Sequence, residues 1–162
     1  MKPSNTIALA MLGLYFAVGI SDANEQRESS VKHVAGAFDV KIKVLQPDNE
    51  PARAANVGRM SLEKQYKGDL AASSTGEMLY SGDGSTSGSY VAIERVSGSL
   101  HGRKGSFMLV HHSLMNRGTP ENWIITVVPD SGTDELQGLK GSFKIIIDKG
   151  QHFYEFDYTL AE

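Results

Sequence analysis

Three ionisable side chains occupy positions that alternation reserves for apolar ones. Met60, Leu62 and Tyr66 bracket Lys64 at spacings of two; Ala92 and Val96 bracket Glu94; Leu109 and Ser113 bracket His111. In a β-strand residues two apart share a face, so all three would point toward one interior. A lone buried carboxylate costs several kcal/mol and must be protonated, paired or solvated. Glu94 is therefore expected to pair with Lys64 or His111. Such a network could be purely structural, could anchor the polar group of a ligand, or could move a proton, with Glu94 and His111 as the candidate catalytic residues. Burial alone would raise the Glu94 pKa toward that of a useful general base, and a nearby cation would lower it. The sequence does not say which effect wins.

Other constellations carry less. Ser113 falls near Glu94 and His111, yet no nucleophile elbow accompanies it. His111 and His112 are adjacent and so face opposite ways. His111 and His152 share the inward parity and with Glu94 would make a two-histidine, one-carboxylate set, but parity does not match their heights, and no metal is expected. The chain has no cysteine, which excludes thiol catalysis and zinc-thiolate sites. The Gly/Ser-rich stretch 81–89 lacks the lysine and helical flank of a phosphate loop. No cofactor is expected.

The elements that must position these residues read as strands. Phe38, Val40, Ile42 and Val44 alternate with Asp39, Lys41 and Lys43. Arg59–Tyr66 and Leu70–Tyr80 flank a turn at Lys67-Gly68-Asp69, and Tyr90–Leu100 and Phe107–Met115 flank one within Gly102–Gly105. Trp123–Val128, Phe143–Asp148 and His152–Leu160 follow, the last two around Lys149-Gly150. About eight strands joined mainly by short turns, with no significant helix, predict an all-β fold. The expected form is a closed eight-stranded antiparallel meander barrel.

An internal repeat orients the faces. Leu100-His101-Gly102-Arg103-Lys104-Gly105-Ser106-Phe107 recurs as Leu136-Gln137-Gly138-Leu139-Lys140-Gly141-Ser142-Phe143. A two-residue turn between the glycines would set leucine opposite phenylalanine in each copy. The apolar Phe143, Ile145 and Ile147 mark the inward face of the second copy. By analogy Phe107, Leu109, His111 and Ser113 point inward in the first, with Glu94 opposite Ser113 and diagonal to His111. Tyr90, Tyr154 and Tyr158 share the inward face, so Lys64, Glu94, His111, Tyr90, Ser113, Tyr154 and Tyr158 form the expected ligand-binding set. The outer face of the same hairpin carries Val91, Ile93, Met108, Val110 and Leu114, too apolar for water. It predicts a homo-oligomer interface, the alternative being cover by the N-terminal arm.

The remaining features set organisation and compartment. With 162 residues and a formal net charge of −3, the chain suits a single domain and has no basic footprint for nucleic acid. Lys2, an apolar run from Ile7 to Ile20 and then Ser21-Asp22-Ala23 have the layout of a secretory signal peptide. That run is shorter than the roughly 20 residues of a membrane span. The expected division is a signal peptide over 1–23, a linker or arm over 24–35 and one barrel over 36–162. Such a protein would be exported, periplasmic or secreted, with no membrane contact after cleavage.

The stretches GRMSLEKQYKGDL, GEMLYSGDGSTSGSYVAIERVSGSLHGRKGSFMLVHHSLMNRG, TVVPDSGTDELQGLKGSF and HFYEFDYTL resemble the small bacterial proteins of domain-of-unknown-function family 3224. The resemblance spans residues 36–162 and implies the allene-oxide-cyclase-like barrel fold. It carries over no reaction, and no allene oxide cyclase motif is matched here. The expected function is thus binding of a small, mainly apolar ligand inside the barrel. The alternatives are an isomerase or cyclase using Glu94 and His111, and a structural oligomer whose barrel is filled. The sequence is compatible with an enzyme and with a binding protein alike.

Overall fold

The structure is a computed structural model in which residues 30–46, 48–82 and 85–160 are described. The expected signal segment and the first half of the linker, residues 24–29, lie outside those residues. Eight strands follow one another: β1 (Lys32–Leu45), β2 (Gly58–Tyr66), β3 (Leu70–Ser81), β4 (Gly88–Leu100), β5 (Arg103–Asn116), β6 (Thr119–Val127), β7 (Lys140–Asp148) and β8 (Gln151–Thr159). Each pairs antiparallel with the next, and β1 closes on β8 to give the expected meander barrel. The described helices are one short α1 (Glu50–Ala54) and a single 3-10 turn at Asp134–Leu136. β1 starts earlier than its alternation from Gly36 suggested, because Lys32–Ala35 already pair with Glu155–Tyr158 of β8.

Tight turns set the register. His101-Gly102, Arg117-Gly118 and Lys149-Gly150 each place two successive residues at positive φ, 48° and 81°, 48° and 82°, and 49° and 79°. These are type I′ turns, whose twist matches the flanking strands and whose second position favours glycine. The β4–β5 turn therefore centres on His101-Gly102 and not on Arg103-Lys104, which offers no glycine. Glu94 lies opposite Leu109, and Tyr90 rather than Glu94 lies opposite Ser113. A two-residue displacement of the turn keeps parity, so every inward assignment survives. The second copy of the repeat is not a hairpin at all. After Val127 the chain leaves β6 and runs beside β5, with Thr133 N donating to Ser106 O and Met108 N to Ser131 Oγ. Leu136 ends in the 3-10 turn, not opposite Phe143.

The two ends of the barrel differ. Leu70, Leu100, Phe107, Leu136, Leu139, Phe156 and Tyr158 are buried and fill one end. Their aromatic rings stack, Phe143 on Phe156 at 4.5 Å and Phe156 on Tyr158 at 5.2 Å. At the other end Ile42 and Val44 face inward yet remain exposed, because no side chain among the described residues fills the space between them and the opposite wall. The β1–β2 connection edges this opening. Asn49 caps α1 by accepting from Ala52 N at 2.9 Å, and Arg59 ties the connection down through Asp48 while also holding Glu77.

Gly76 sits opposite Glu94 in the β3–β4 ladder. A Cβ there would lie 2.3 Å from Ile93 O and 2.6 Å from Glu94 Cβ. The missing side chain is what lets Glu94 lie flat against β3. Gly76→Ala is expected to cost about 1–3 kcal/mol by overpacking, read as a lower urea midpoint with an unchanged m-value; an unaltered midpoint would contradict this close approach.

Candidate functional site

Glu94 is the most enclosed polar residue of the barrel, with no exposed surface. Four donors surround its carboxylate. Oε1 accepts from Lys64 Nζ at 2.8 Å, Tyr66 OH at 3.0 Å and His111 Nε2 at 3.0 Å, and Oε2 accepts from Ser74 Oγ at 2.8 Å. Lys64, Tyr66 and Ser74 come from β2 and β3, where Lys64 pairs with Ser74. His111 comes from β5, one inward step beyond the Leu109 that faces Glu94. The Lys64 ammonium also rides over two rings, 5.5 Å from the Phe38 centroid and 5.9 Å from that of Tyr66.

This network floors a cavity of about 1290 Å³ that runs to the open end. Lys64 and His111 line it, whereas Glu94 stands behind them. Its walls are mainly apolar, with Phe38, Leu62, Met78, Ala92, Trp123 and Ile145 among them. A volume of this order accommodates a small organic molecule.

The family described as "Protein of unknown function (DUF3224)" matches residues 34–158. The chain belongs to that family. The chain is also similar to a solved structure, the crystal structure of a protein with unknown function from the DUF3224 family from Shewanella oneidensis MR-1. The two are 41% identical over 82% of this chain and 100% of that one, with a TM-score of 0.72. No curated protein matches the chain. This DUF3224 member has the allene-oxide-cyclase-like fold, a closed eight-stranded meander.

Of the residues singled out from sequence, this DUF3224 barrel brings Lys64, Glu94 and His111 together and sets Tyr90 on the cavity wall. Three others it places elsewhere. Ser113 Oγ donates to Leu114 O and Glu121 O at the irregularity between β5 and β6. Tyr154 OH donates to Lys67 O and accepts from Leu70 N, and Tyr158 OH bonds His101 Nδ1 at 2.6 Å. Both tyrosines belong to the filled end. His152 lines the cavity but packs on Phe38, at 5.3 Å between rings. Among the described residues no group of three or more potential ligands could hold a metal. Ser74 and Tyr66 are the network members that sequence reasoning left out. Their signal was available: both share the inward parity of Lys64 on β2 and its neighbour β3.

The electrostatics of the network favour the charged form of Glu94. Burial is the largest single influence and pushes its pKa up. The hydrogen bonds and charges of His111 and Lys64 together outweigh it, holding the carboxyl down from its ordinary 4.5 to about 2. Glu94 is thus placed as an ionised hydrogen-bond acceptor, the form in which it orients His111. Burial lowers the His111 pKa below its ordinary 6.5, so its ring is neutral at pH 7. An ionised carboxylate only accepts, so His111 Nε2 carries the proton and Nδ1 keeps its lone pair. Burial raises the Tyr66 and Tyr90 phenols, which stay protonated. Trp123 Nε1 is buried without a hydrogen bond of normal geometry, although it lies close enough to Tyr90 to favour the ionised phenol slightly.

Two measurements check the network. Glu94→Gln strands a buried ammonium and should lower unfolding stability by about 3–5 kcal/mol. The double variant Lys64→Met/Glu94→Gln should be more stable than Glu94→Gln alone; simple additivity in that cycle would contradict the pairing. Acid should also weaken the fold. Both folded-state pKa values are depressed, so each contribution is present above the ordinary value and is lost on acidification. The His111 part should fade as pH falls below about 6.5, and the Glu94 part between 4.5 and about 2. Urea midpoints that rise on acidification would contradict this.

Proposed function

We propose that this protein binds a small, mainly apolar molecule in the open half of its barrel. The observation that carries the reading is the asymmetric interior. One end is packed with leucines and aromatic rings, while the other keeps about 1290 Å³ above a polar floor. Eight strands leave room for filling side chains or for one small ligand, and here the same barrel does each at a different end. A barrel filled along its whole length, one of the alternatives drawn from sequence, does not fit that interior. The test is native mass spectrometry of protein purified under non-denaturing conditions, combined with titration by the neutral dye N-phenyl-1-naphthylamine. A discrete co-purifying mass or saturable one-to-one dye uptake is expected; the absence of both would contradict the reading.

A second reading has its own observation. The Glu94–His111 bond sets the His111 tautomer and leaves Nδ1 without a partner among the described residues, the arrangement in which an imidazole serves as general base while a carboxylate orients it. In an isomerase or cyclase of this kind His111 would take the proton and Glu94 would hold the ring.

Two further parts of the reading concern the molecule as a whole. Export rests on the pattern of residues 1–23, and expression of the full chain in a bacterial host should yield an extracytoplasmic form whose N-terminus follows Ala23. Retention of Met1 would overturn it. Self-association rests on the outer face of the β4–β5 hairpin. Val91, Ile93 and Leu114 are exposed there, with Met108 and Val110 half-buried beside them. Leu79 and Ile124 extend this face onto β3 and β6 through the row Leu79, Val91, His112 and Ile124. Light scattering after size exclusion should show an oligomer that Ile93→Glu dissociates, and a monomer at high concentration would sink the idea.

A further inference from the structure

The polar floor of the cavity is already charge-balanced, and its free hydrogen-bonding groups are of two kinds. Lys64 carries three N–H bonds, and among the described residues it gives one, to Glu94. Its remaining donors belong to a side chain that lines the cavity and is otherwise bordered by the Phe38 and Tyr66 rings. His111 spends Nε2–H on Glu94 and makes no other hydrogen bond among the described residues. Its Nδ1 is not sealed in, because the one side-chain atom both sealed and unpaired among those residues is Trp123 Nε1. Nδ1 is therefore an unpaired acceptor on a side chain that lines the cavity. The floor thus offers donors from Lys64 beside an acceptor from His111, both held in place by the same carboxylate oxygen.

Resting on the ligand-binding reading above, we propose that the ligand is a neutral, mainly apolar molecule whose polar end bears a carbonyl oxygen beside an N–H or O–H donor. The carbonyl accepts from Lys64 Nζ, and the adjacent donor gives its hydrogen to His111 Nδ1. Charge bookkeeping excludes the obvious alternative of a carboxylate. Lys64 and Glu94 already cancel, and an added anion would sit uncompensated near Glu94 unless His111 took up a proton. The charged groups acting on His111 are Glu94 from β4 and Lys64 from β2; burial, helped by the Lys64 charge, holds the ring neutral against Glu94. Its neighbours across the two ladders, Ala92 and Ile125, supply no further charge. A carboxamide or an α-hydroxy ketone has the required pair of groups; an ester has the acceptor alone, and a simple alcohol has no carbonyl.

The test uses one apolar tail with five head groups. Decanamide, 1-hydroxydecan-2-one, methyl decanoate, decan-1-ol and decanoate compete at pH 7 with N-phenyl-1-naphthylamine on the unmodified protein. Fluorescence of Trp123, the only tryptophan in the chain and a cavity residue, gives an independent readout. Decanamide and the hydroxy ketone should displace the dye at concentrations at least tenfold lower than decanoate and severalfold lower than the ester and the alcohol. His111→Phe, checked for folding by circular dichroism, should abolish the preference for amide over ester. Equal affinities for amide and ester, or tighter binding of decanoate, would overturn the head-group assignment while leaving ligand binding intact. Failure of the dye and all five compounds to bind would overturn the binding reading itself. Should His111→Phe not fold, the ligand series on the unmodified protein still decides.

Discussion

A carboxylate with no exposed surface at the centre of a small barrel is the constraint on which the surrounding structure depends. Its desolvation would cost several kcal/mol if uncompensated, and each neighbouring element contributes to the compensation. β2 supplies an ammonium and a phenol, β3 a hydroxyl, and β5 an imidazole. β3 also supplies an absence, since Gly76 opposite Glu94 leaves space that any side chain would fill. The compensation goes beyond neutrality. Four donors on two oxygens fix the carboxylate's orientation, and through it the tautomer of His111 and the position of Lys64. A satisfied buried network of this kind rigidifies its surroundings.

The network also lies where the character of the interior changes. Toward one end the stacked rings of Phe143, Phe156 and Tyr158, with Leu70, Leu100, Leu136 and Leu139, leave no room. Toward the other the inward side chains stand apart. Packing thus supplies stability at one end, and the cavity at the other does not have to. A chain without cysteine needs this division, because no disulfide compensates for the apolar contacts that an open cavity forgoes. The seam most at risk is β6–β7, with two paired positions, and the crossing segment after Val127 braces it by hydrogen-bonding along β5.

Much of this was legible in the sequence, for a definite physical reason. Alternation reports the face of a strand, and a closed barrel has only an inside and an outside. The inward placement of Lys64, Glu94 and His111 survived a misplaced β4–β5 turn because a two-residue displacement preserves parity. Height along the barrel is not encoded by parity. Tyr154 and Tyr158 share the inward face with His111 yet sit at the packed end, where they bond Lys67 O and His101. Ser113 is inward too, but an irregularity in the ladder turns its hydroxyl to backbone. Ser74 went unnoticed because a small inward residue reads as room and not as a donor. The repeated glycine motif misled in its second copy, since local turn chemistry cannot show that a leucine is needed to plug the barrel end.

The most direct measurement is the ionisation and tautomer of His111, followed by nitrogen-15 NMR of the imidazole from pH 8 downward. An Nε2-protonated neutral ring at pH 7, with Nδ1 unprotonated and titration displaced below 6.5, is the expected result. It would mean that Glu94 is ionised and that Lys64 and His111 present a donor and an acceptor to the cavity. An imidazolium at pH 7, or a neutral ring protonated on Nδ1, would contradict both the charge balance of the floor and the ligand chemistry built on it.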